Sequence, residues 1–395
     1  MDPRRNPYAP GAGTPPPELA GRDDIIERAA IALDRIRAGR AARSLLLHGL
    51  RGVGKAVLLN RIRTDAEARG FVTVAVEVPE ERSLPGLLVP PLRAALLRLS
   101  RGEVVRQKLG RSLRALGSFV SAMKLKYADV ELAVDLEREQ GLADSGDLEA
   151  DLADLFMVIG SAAKDHSTAL VLFLDELQYI SQAELAALLA GLHRVGQSEL
   201  PLTMLAAGLP QVLGLTGRAK SYAERLFEFV SIDRLSDDAA KIALSIPVER
   251  EDVRYTENAI AKVIEETKSY PYFLQEWGKH CWDTADASPI SSRDVRRATI
   301  AASADLDAGF FRVRFDRLTP AEKRYLRAMA DLGAGPQRSG DIADRLGQKV
   351  TTAAPVRSAL IAKGMIYSPA HGDTAFTVPL FDGFLKRTLP PPQRQ

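Results

Sequence analysis

The sequence predicts an α/β protein built around a parallel sheet. Short apolar segments of strand length alternate with segments whose apolar residues recur at helical spacing. A glycine-rich loop directly follows the first apolar segment, and two acidic residues directly follow the third. Short apolar segments of this kind are typical of strands that are buried on both faces, as in a parallel sheet with helices on either side.

The elements are predicted in the following order. Strands are expected at residues 44–47, 71–78, 169–174, 202–207 and 227–232. Mostly helical segments are expected at 18–40, 55–69, 87–116, 151–164 and 184–195. Residues 124–137 alternate apolar and polar side chains with a period of two, which predicts a hairpin that turns near Ala128. From Ser236 to about Leu306 the pattern is helical only.

Length and composition set the domain organisation. A chain of 395 residues is long enough for about two to three domains. We expect an α/β domain over residues 1–234 with an insertion at 100–150, a helical domain over 235–309 and a C-terminal domain over 310–395. The single cysteine, Cys281, excludes an internal disulfide, and five scattered histidines offer no zinc ligand set.

Neither a membrane span nor a secretory signal is expected. No uncharged apolar run approaches the ~18 residues that a membrane helix needs. The first residues are rich in proline and glycine and lack the apolar core of a signal peptide. We therefore expect a cytoplasmic protein without a membrane partner.

The glycine-rich loop predicts a phosphate site. It has the sequence Gly49-Leu50-Arg51-Gly52-Val53-Gly54-Lys55-Ala56-Val57, which fits G-x-x-x-x-G-K with alanine where serine or threonine is expected. Glycines allow successive backbone N–H groups to point at a phosphate, and the helix that begins at Lys55 directs its positive dipole end toward the same anion. Lys55 adds a charge for the β- and γ-phosphates. The loop lies between an apolar strand and a helix, as this motif requires.

The acidic pair predicts the second half of the site. Four apolar residues precede Asp175 and Glu176, so both carboxylates fall at the C-terminal edge of the sheet, where ligands of open α/β sheets bind. Asp175 is expected to hold Mg²⁺, and Glu176 to orient or deprotonate the attacking water. A strand that ends in solvated acids is common by itself, and it is the loop upstream that favours the functional interpretation.

These motifs resemble the Orc-like branch of the AAA ATPases, which is related to archaeal-type and STAND NTPases. The resemblance also rests on other short segments: Asn6-Pro7-Tyr8, Pro16-Pro17-Glu18-Leu19-Ala20-Gly21-Arg22-Asp23, Asp175-Glu176-Leu177-Gln178, Ala207-Gly208-Leu209-Pro210, Tyr222-Ala223-Glu224-Arg225-Leu226-Phe227 and Tyr270-Pro271-Tyr272-Phe273-Leu274-Gln275. It implies that residues 1–234 are a P-loop NTPase (AAA) domain and that the helical domain at 235–309 is its lid. It further implies ATP or ADP as ligand and an adenine pocket formed by residues 6–22, including Tyr8, together with the lid. It also implies that Pro271 packs on the nucleotide and that Arg225 is an arginine finger. The alternative for Arg225 is a surface side chain paired with Glu224 or Glu228.

Three departures from the resemblance concern hydrolysis. Ala56 lacks the hydroxyl that ligates Mg²⁺, strand 202–207 ends at Gly208 rather than at a polar sensor, and Tyr270-Pro271-Tyr272 stands where a sensor arginine is expected. We therefore expect nucleotide binding with weakly held Mg²⁺ and slow hydrolysis.

The C-terminal region predicts a winged helix. Thr319-Pro320-Ala321-Glu322 is typical of a helix start. Further helices are expected at 338–346 and 351–363, followed by strands at 365–367 and 374–378. Three helices and then two strands is the order of elements in a winged helix. Residues 310–395 hold 14 Lys and Arg against 7 Asp and Glu. The candidate DNA contacts are Lys349, Thr351, Thr352 and Arg357 in the groove, and Arg338 and Arg345 on phosphates, with His371 at the wing tip.

The sequence leaves three functions open. The first is a nucleotide-dependent switch that moves a winged helix on duplex DNA or on a protein partner. The second is an active ATPase acting on DNA or a protein complex, and the third is a pseudo-ATPase scaffold with a structural nucleotide. A basic cluster at 101–126 is a rival DNA surface, or a solvated face. An arginine finger acting in trans would also require a homo-oligomer or a protein partner.

Overall fold

The structure is a computed structural model, and it describes residues 1–11, 13–99, 106–124, 126–127, 129–130 and 137–391. The chain divides into two compact units. The sheet unit comprises Arg22–His48 and Lys55–Ser231, and the helical unit comprises Met1–Gly21, Gly49–Gly54 and Ile232–Gln395. The glycine-rich loop and the N-terminal tail therefore pack with the lid and the C-terminal region.

A parallel sheet lies at the centre of the sheet unit. Its strands are β1 (Ser44–His48), β2 (Val72–Glu77), β3 (Leu170–Asp175), β4 (Leu202–Gly208) and β5 (Phe227–Ser231), in the order β2-β3-β4-β1-β5. Strands β1 and β3 flank β4, so all three end at one edge. Most of their side chains are buried, which explains the uninterrupted apolar runs. The predicted α/β P-loop NTPase fold is confirmed.

Helices surround this sheet. They are α1 (Asp23–Arg37), α2 (Lys55–Ala68), α3 (Leu84–Leu99), α4 (Arg106–Met123), α5 (Leu148–Asp165), α6 (Gln182–Gln197), α7 (Val212–Ala219) and α8 (Ala223–Leu226). The helix predicted at 87–116 is thus described as α3 and α4, and residues 100–105 between them lie outside the described residues. The predicted hairpin at 124–137 falls largely on residues that are also outside the described part.

The helical unit contains the predicted lid. Its helices are α9 (Asp237–Glu249), α10 (Glu257–Thr267), α11 (Pro271–Thr284) and α12 (Ser292–Leu306). Buried Ala, Leu, Val, Phe and Trp residues of these helices form one core. A π-helical turn, Asp307–Phe311, follows α12 and leads into α13 (Arg312–Asp316).

The C-terminal part of the helical unit has three antiparallel strands beside its helices. Its elements are α14 (Pro320–Leu332), β6 (Gln337–Arg338), α15 (Ser339–Arg345), α16 (Val350–Ala362), β7 (Ile366–Tyr367), β8 (Asp373–Phe376) and α17 (Phe381–Thr388), with strand order β6-β8-β7. The predicted start of α14 is confirmed: Thr319 caps the helix, Pro320 is its first residue and Glu322 completes a capping box. Strand β6 and helix α17 were absent from the sequence-based prediction.

In the described part of the chain, no helix is both long and apolar enough to cross a membrane.

Candidate functional site

The glycine-rich loop has a backbone that only glycine fits. A Cβ at Gly49 would lie 2.0 Å from the carbonyl oxygen of Ile232, so any side chain there would collide with backbone. Gly52 and Gly54 have φ values of +81° and +91°, in the left-handed region that other residues rarely adopt. The pattern that predicted a phosphate loop therefore reflects backbone requirements of this structure.

Two backbone hydrogen bonds fasten this loop within the helical unit. The N–H of Tyr272, in the first turn of α11, donates to the carbonyl oxygen of Gly52 at 3.1 Å. The N–H of Arg51 donates to the carbonyl oxygen of Thr377, just after β8, at 2.9 Å. A Cβ at Gly52 would also lie 3.2 Å from the Cβ of Tyr272. The loop is thus in direct contact with both the lid and the C-terminal region.

Charged groups converge at the C-terminal edge of the sheet. Burial raises the pKa of Asp175 to about 6, with further upward influence from Glu176 and Glu77, against the N–H of Glu176 and the charge of Lys55. Burial, followed by the charge of Lys55, lowers the pKa of His48 at the end of β1. Lys55 therefore lies close enough to act on groups at the ends of both β1 and β3.

Glu176 is held in an unusual backbone conformation at this edge. Its φ is +54°, and its N–H donates to Oδ1 of Asp175 at 2.8 Å. The side-chain amide of Gln178 donates to the carboxylate of Glu176. Oε1 of Gln178 in turn accepts the N–H of Leu209 at 2.8 Å, so this side chain connects Glu176 to the end of β4.

Sequence reasoning assigned no role to Gln178. The available signal was a polar residue soon after the strand-end acids, in Asp175-Glu176-Leu177-Gln178. A Cβ at Gly208 would lie 3.0 Å from Oε1 of Gln178. The amide thus occupies the end of β4, where the sequence offers no polar sensor.

The other residues of the loop and of the first turn of α2 are half-buried or fully buried. Leu50 is half-buried and Val53 is fully buried. Ala56 and Val57 are half-buried in the first turn of α2, directly after Lys55. Ala56 brings a methyl group and no oxygen to this turn.

Tyr8 and Pro271, the residues implied for the adenine pocket, lie in the helical unit. The ring of Tyr8 is 4% exposed, and a Cβ at Gly278 of α11 would lie 2.6 Å from it. Its hydroxyl donates to the carbonyl oxygen of Leu244. Pro271 is the half-buried first residue of α11. Tyr8 thus anchors the tail on the lid, and its ring is enclosed by protein; a role in adenine binding stays a prediction for both residues.

Arg225 is exposed on the short helix α8 of the sheet unit. Of the two acids weighed as its partners, Glu228 forms an ion pair with Arg28 instead. The exposed position is compatible with an arginine finger, which stays a prediction.

The basic residues of the C-terminal region differ in availability. Arg345 donates to Asp331 at 2.6 Å. Arg357 donates to Oγ1 of Thr374 at 2.8 Å, to Oγ of Ser368 at 2.9 Å and to the carbonyl oxygen of Asp373 at 3.0 Å. The other candidates for DNA contact, Lys349, Thr351, Thr352, Arg338 and His371, are exposed.

Part of the rival basic cluster is also paired. Arg111 and Arg114 both lie near the carboxylate of Glu139, at 3.1 and 3.5 Å. Arg101, and the side chains of Arg106 and Lys108, fall outside the described residues.

Two parts of the chain match known family models. Residues 18–205 match the family model of the AAA ATPase domain, and residues 308–385 match a domain of unknown function, DUF8462. No curated protein matches the sequence. A Walker-type ATPase of Pyrococcus abyssi is similar in structure, with a TM-score of 0.56 and 17% sequence identity, over 93% of this chain and 96% of that chain.

Two further structures are more distant. The Orc1 protein of Aeropyrum pernix, in complex with DNA, has a TM-score of 0.42 and 14% identity over 94% of this chain and 93% of its own. The RuvB Holliday junction branch migration motor of Thermotoga maritima has a TM-score of 0.45 and 15% identity over 90% of this chain and 92% of its own. The phosphate loop, the acidic strand end and the family match agree for one part of the chain: residues 18–205 are similar to the AAA ATPase domain.

Proposed function

We propose that this protein is a nucleotide-dependent switch, in which ATP or ADP at the glycine-rich loop and Lys55 sets the position of the C-terminal region. The observation that carries the proposal is the hydrogen bond from the N–H of Arg51 to the carbonyl oxygen of Thr377. A phosphate loop that is bonded to the C-terminal region by its own backbone cannot change geometry without affecting that contact.

The binding chemistry follows from the loop and the sheet edge. Backbone N–H groups of the loop and the first turn of α2 offer donors to the phosphates, and Lys55 offers a positive charge. Leu50 and Val53 support the loop conformation, and Val57 belongs to the helix turn beneath the phosphates. Tyr8 and Pro271 would serve the adenine side through the tail and the first turn of α11.

The residues at the sheet edge fit a weakly held Mg²⁺. The Asp175 carboxylate is buried beside two other acids, an arrangement that gains from a cation. Bound Mg²⁺ would neutralise charge on the β- and γ-phosphates. Because Ala56 supplies no hydroxyl, Asp175 would hold the ion without the usual second protein oxygen.

The same edge would govern hydrolysis. Glu176 would orient the attacking water, with Gln178 fixing the direction of its carboxylate. Arg225 would act as an arginine finger toward a neighbouring copy or partner. Weak metal binding would make turnover slow. The active-ATPase alternative therefore differs from this proposal in the rate of hydrolysis, and the structural-nucleotide alternative differs in the rate of nucleotide exchange.

The strength of the coupling can be bounded from the two loop contacts. Each backbone hydrogen bond contributes about 0.5–1.5 kcal/mol net, so the pair contributes about 1–3 kcal/mol. If nucleotide binding strengthens or breaks both hydrogen bonds, the nucleotide affinity changes by about 5- to 150-fold. The Tyr272 bond belongs to the lid and the Arg51 bond to the C-terminal region, so by thermodynamic reciprocity these two parts together must shift the nucleotide affinity by the same factor.

Aromatic packing offers a second connection within the helical unit. The ring of Tyr272 stacks on Phe310 at 4.7 Å between centroids, and Phe310 contacts Phe311 at 5.3 Å. Phe311 contacts Phe384 of α17 at 5.4 Å. The first turn of α11, which touches the loop, is thereby packed through the π-helical turn onto the last helix.

A side-chain substitution outside the loop, at the residue that accepts the Arg51 hydrogen bond, tests the coupling. The buried hydroxyl of Thr377 bonds to the carbonyl oxygen of Gly364 at 2.6 Å and to that of Met365 at 3.0 Å. Thr377→Val removes the hydroxyl donor from both carbonyls, of which that of Met365 still accepts the N–H of residue 377, and should loosen the segment that meets Arg51. We expect ADP to dissociate at least about fivefold faster, as measured by stopped-flow release of a fluorescent ADP analogue.

Thr374→Val is the matched control. Thr374 is equally buried and bonds to Arg357 rather than near the loop. We expect its ADP release to match the wild type. Equal release rates for wild type and Thr377→Val, with both variants folded, would show that the loop and the C-terminal region are uncoupled.

The partner proposed for the C-terminal region is duplex DNA. The order helix, strand, two helices and two strands is that of a winged helix, which supports the proposal together with the basic composition of residues 310–395. With Arg345 and Arg357 engaged internally, Lys349, Thr351 and Thr352 at the start of α16 are the groove candidates and Arg338 is a phosphate candidate.

Salt dependence tests the DNA proposal. Each phosphate contact steepens the decrease of log affinity with log salt by about 0.9. Arg338→Glu should therefore weaken binding to all sequences alike, and Thr352→Ala should affect only a preferred site. Retention of DNA binding after removal of residues 310–395 would place the site on the 101–126 cluster. A lack of any salt-sensitive DNA binding would favour a protein partner.

A further inference from the structure

A buried histidine in the lid faces two carboxylates. His280 and Glu276 lie four residues apart on one face of α11, and Asp305 reaches them from the end of α12. His280 and Glu276 are 8% and 7% exposed, whereas the side chain of Asp305 is 58% exposed. One donor atom from each of the three residues lies within 4.8 Å of the other two.

Among the residues that the structure describes, the imidazole nitrogen that points into this cluster has no hydrogen-bond partner. Nε2 of His280 is buried, and neither carboxylate meets it with hydrogen-bond geometry. Its distances are 3.4 Å to Oε1 of Glu276 and 3.2 Å to Oδ2 of Asp305. A charge-assisted N–H···O bond is shorter, at about 2.7–2.9 Å. A direct hydrogen bond therefore does not account for this arrangement.

The spacing fits a tetrahedral metal ion instead. Zinc binds nitrogen and oxygen ligands at about 2.0–2.2 Å, and two ligands at tetrahedral positions are then about 3.3–3.5 Å apart. Both measured distances are close to this range. The nitrogen ligand also discriminates among ions, because Mg²⁺ and Ca²⁺ prefer oxygen only whereas Zn²⁺ accepts imidazole together with carboxylates.

We infer that Glu276, His280 and Asp305 form a zinc site that joins α11 to α12, with water as the fourth ligand on the exposed side of Asp305. The site lies outside the phosphate loop and the Asp175 edge, and it goes beyond the proposed switch. Zinc there would restrain α11, the helix whose first turn carries Tyr272 to the loop. The sequence-based expectation was that the five histidines offer no zinc ligand set; the proposed site would instead combine one histidine, His280, with the carboxylates of Glu276 and Asp305.

Titration with zinc alone tests the inference. Full-length, nucleotide-free protein is stripped with a chelator, dialysed and titrated with ZnCl₂ by calorimetry. We expect one tight site per chain, and a visible spectrum typical of tetrahedral coordination after Co²⁺ replaces Zn²⁺. Asp305→Asn, at an exposed position that leaves folding unaffected, should weaken zinc binding at least tenfold, as should His280→Gln.

Two controls exclude other sources of zinc binding. His371→Gln alters an exposed histidine of the β7–β8 turn and should leave the affinity unchanged. Asp175→Asn removes the carboxylate of the sheet edge and should also retain the site. The inference is overturned if wild type binds no stoichiometric zinc, if Asp305→Asn and His280→Gln bind like wild type, or if Asp175→Asn abolishes the binding.

Discussion

The buried carboxylate at the sheet edge should destabilise the nucleotide-free protein. Asp175 has a pKa of about 6 in the folded chain against an ordinary value of 3.8, chiefly because of burial. The folded state then binds more protons than the unfolded state between these values, so stability falls as the pH rises through this window. The difference of about 2 pH units corresponds to about 3 kcal/mol of lost stability above pH 7.

Asp175→Asn removes the charge and keeps an oxygen that can accept the N–H of Glu176. Without nucleotide or metal, the variant should be more stable than wild type by up to about 3 kcal/mol at pH 8 and by little at pH 4. Urea unfolding of the full-length wild type and variant at several pH values measures this difference in the free energy of unfolding. A saturating Mg²⁺ nucleotide complex should reverse the order, because only the carboxylate gains from the cation.

Asp294 provides a control of opposite sign. Burial acts to raise its pKa, but hydrogen bonds from Ser291 outweigh burial and hold that pKa below its ordinary value. Asp294→Asn should therefore cost stability above about pH 4, where Asp175→Asn adds it. A stability gain at Asp175 that does not vary with pH, or a loss at pH 8, would refute the account of a buried, charged Asp175.

Three further predictions concern the nucleotide. Lys55→Ala should abolish ATP and ADP binding by calorimetry, and unchanged affinity would contradict the phosphate-loop assignment. Ala56→Thr should raise both the Mg²⁺ dependence of binding and the hydrolysis rate, with Glu176 required for the gain; wild-type turnover of ~1 s⁻¹ or faster would show that hydrolysis is not impaired. Gln178→Leu should lower turnover in the Ala56→Thr background about 10- to 100-fold without weakening ADP binding, since it frees Glu176 and leaves the loop intact; equal turnover would remove its positioning role.

The central fold was predictable because its strands are buried on both faces. Burial on both faces explains the apolar runs at Leu45–Leu47 and from Val171 to Leu174. The ends of these two strands then predict where the loop and Asp175 lie. Strand β6 has only two residues, too few for a periodic pattern. Helix α17 follows Leu380, whose φ of +62° no local residue preference indicates.

The contacts that define the proposed switch and the zinc site were beyond sequence reasoning for another reason. The bond between Arg51 and Thr377 joins backbone atoms of residues far apart in the chain, and neither side chain specifies it. Asp305 likewise reaches His280 only because α12 packs on α11. Amphipathic periodicity predicts that a helix buries one face, but not which residues of two helices meet.

The enclosure of Tyr8 has a practical consequence for measuring motion of the tail. Cys281, the one cysteine of the chain, is fully buried in the same core as Tyr8 and interacts with it and with Tyr255. Burial raises the pKa of its thiol to about 12, which leaves almost no reactive thiolate in the closed state. Reaction with a thiol reagent must therefore await an opening of this core, to which Tyr8 of the tail belongs. The labelling rate of unmodified protein measures how often that core opens, and its change on adding ADP reports whether nucleotide tightens or loosens the core.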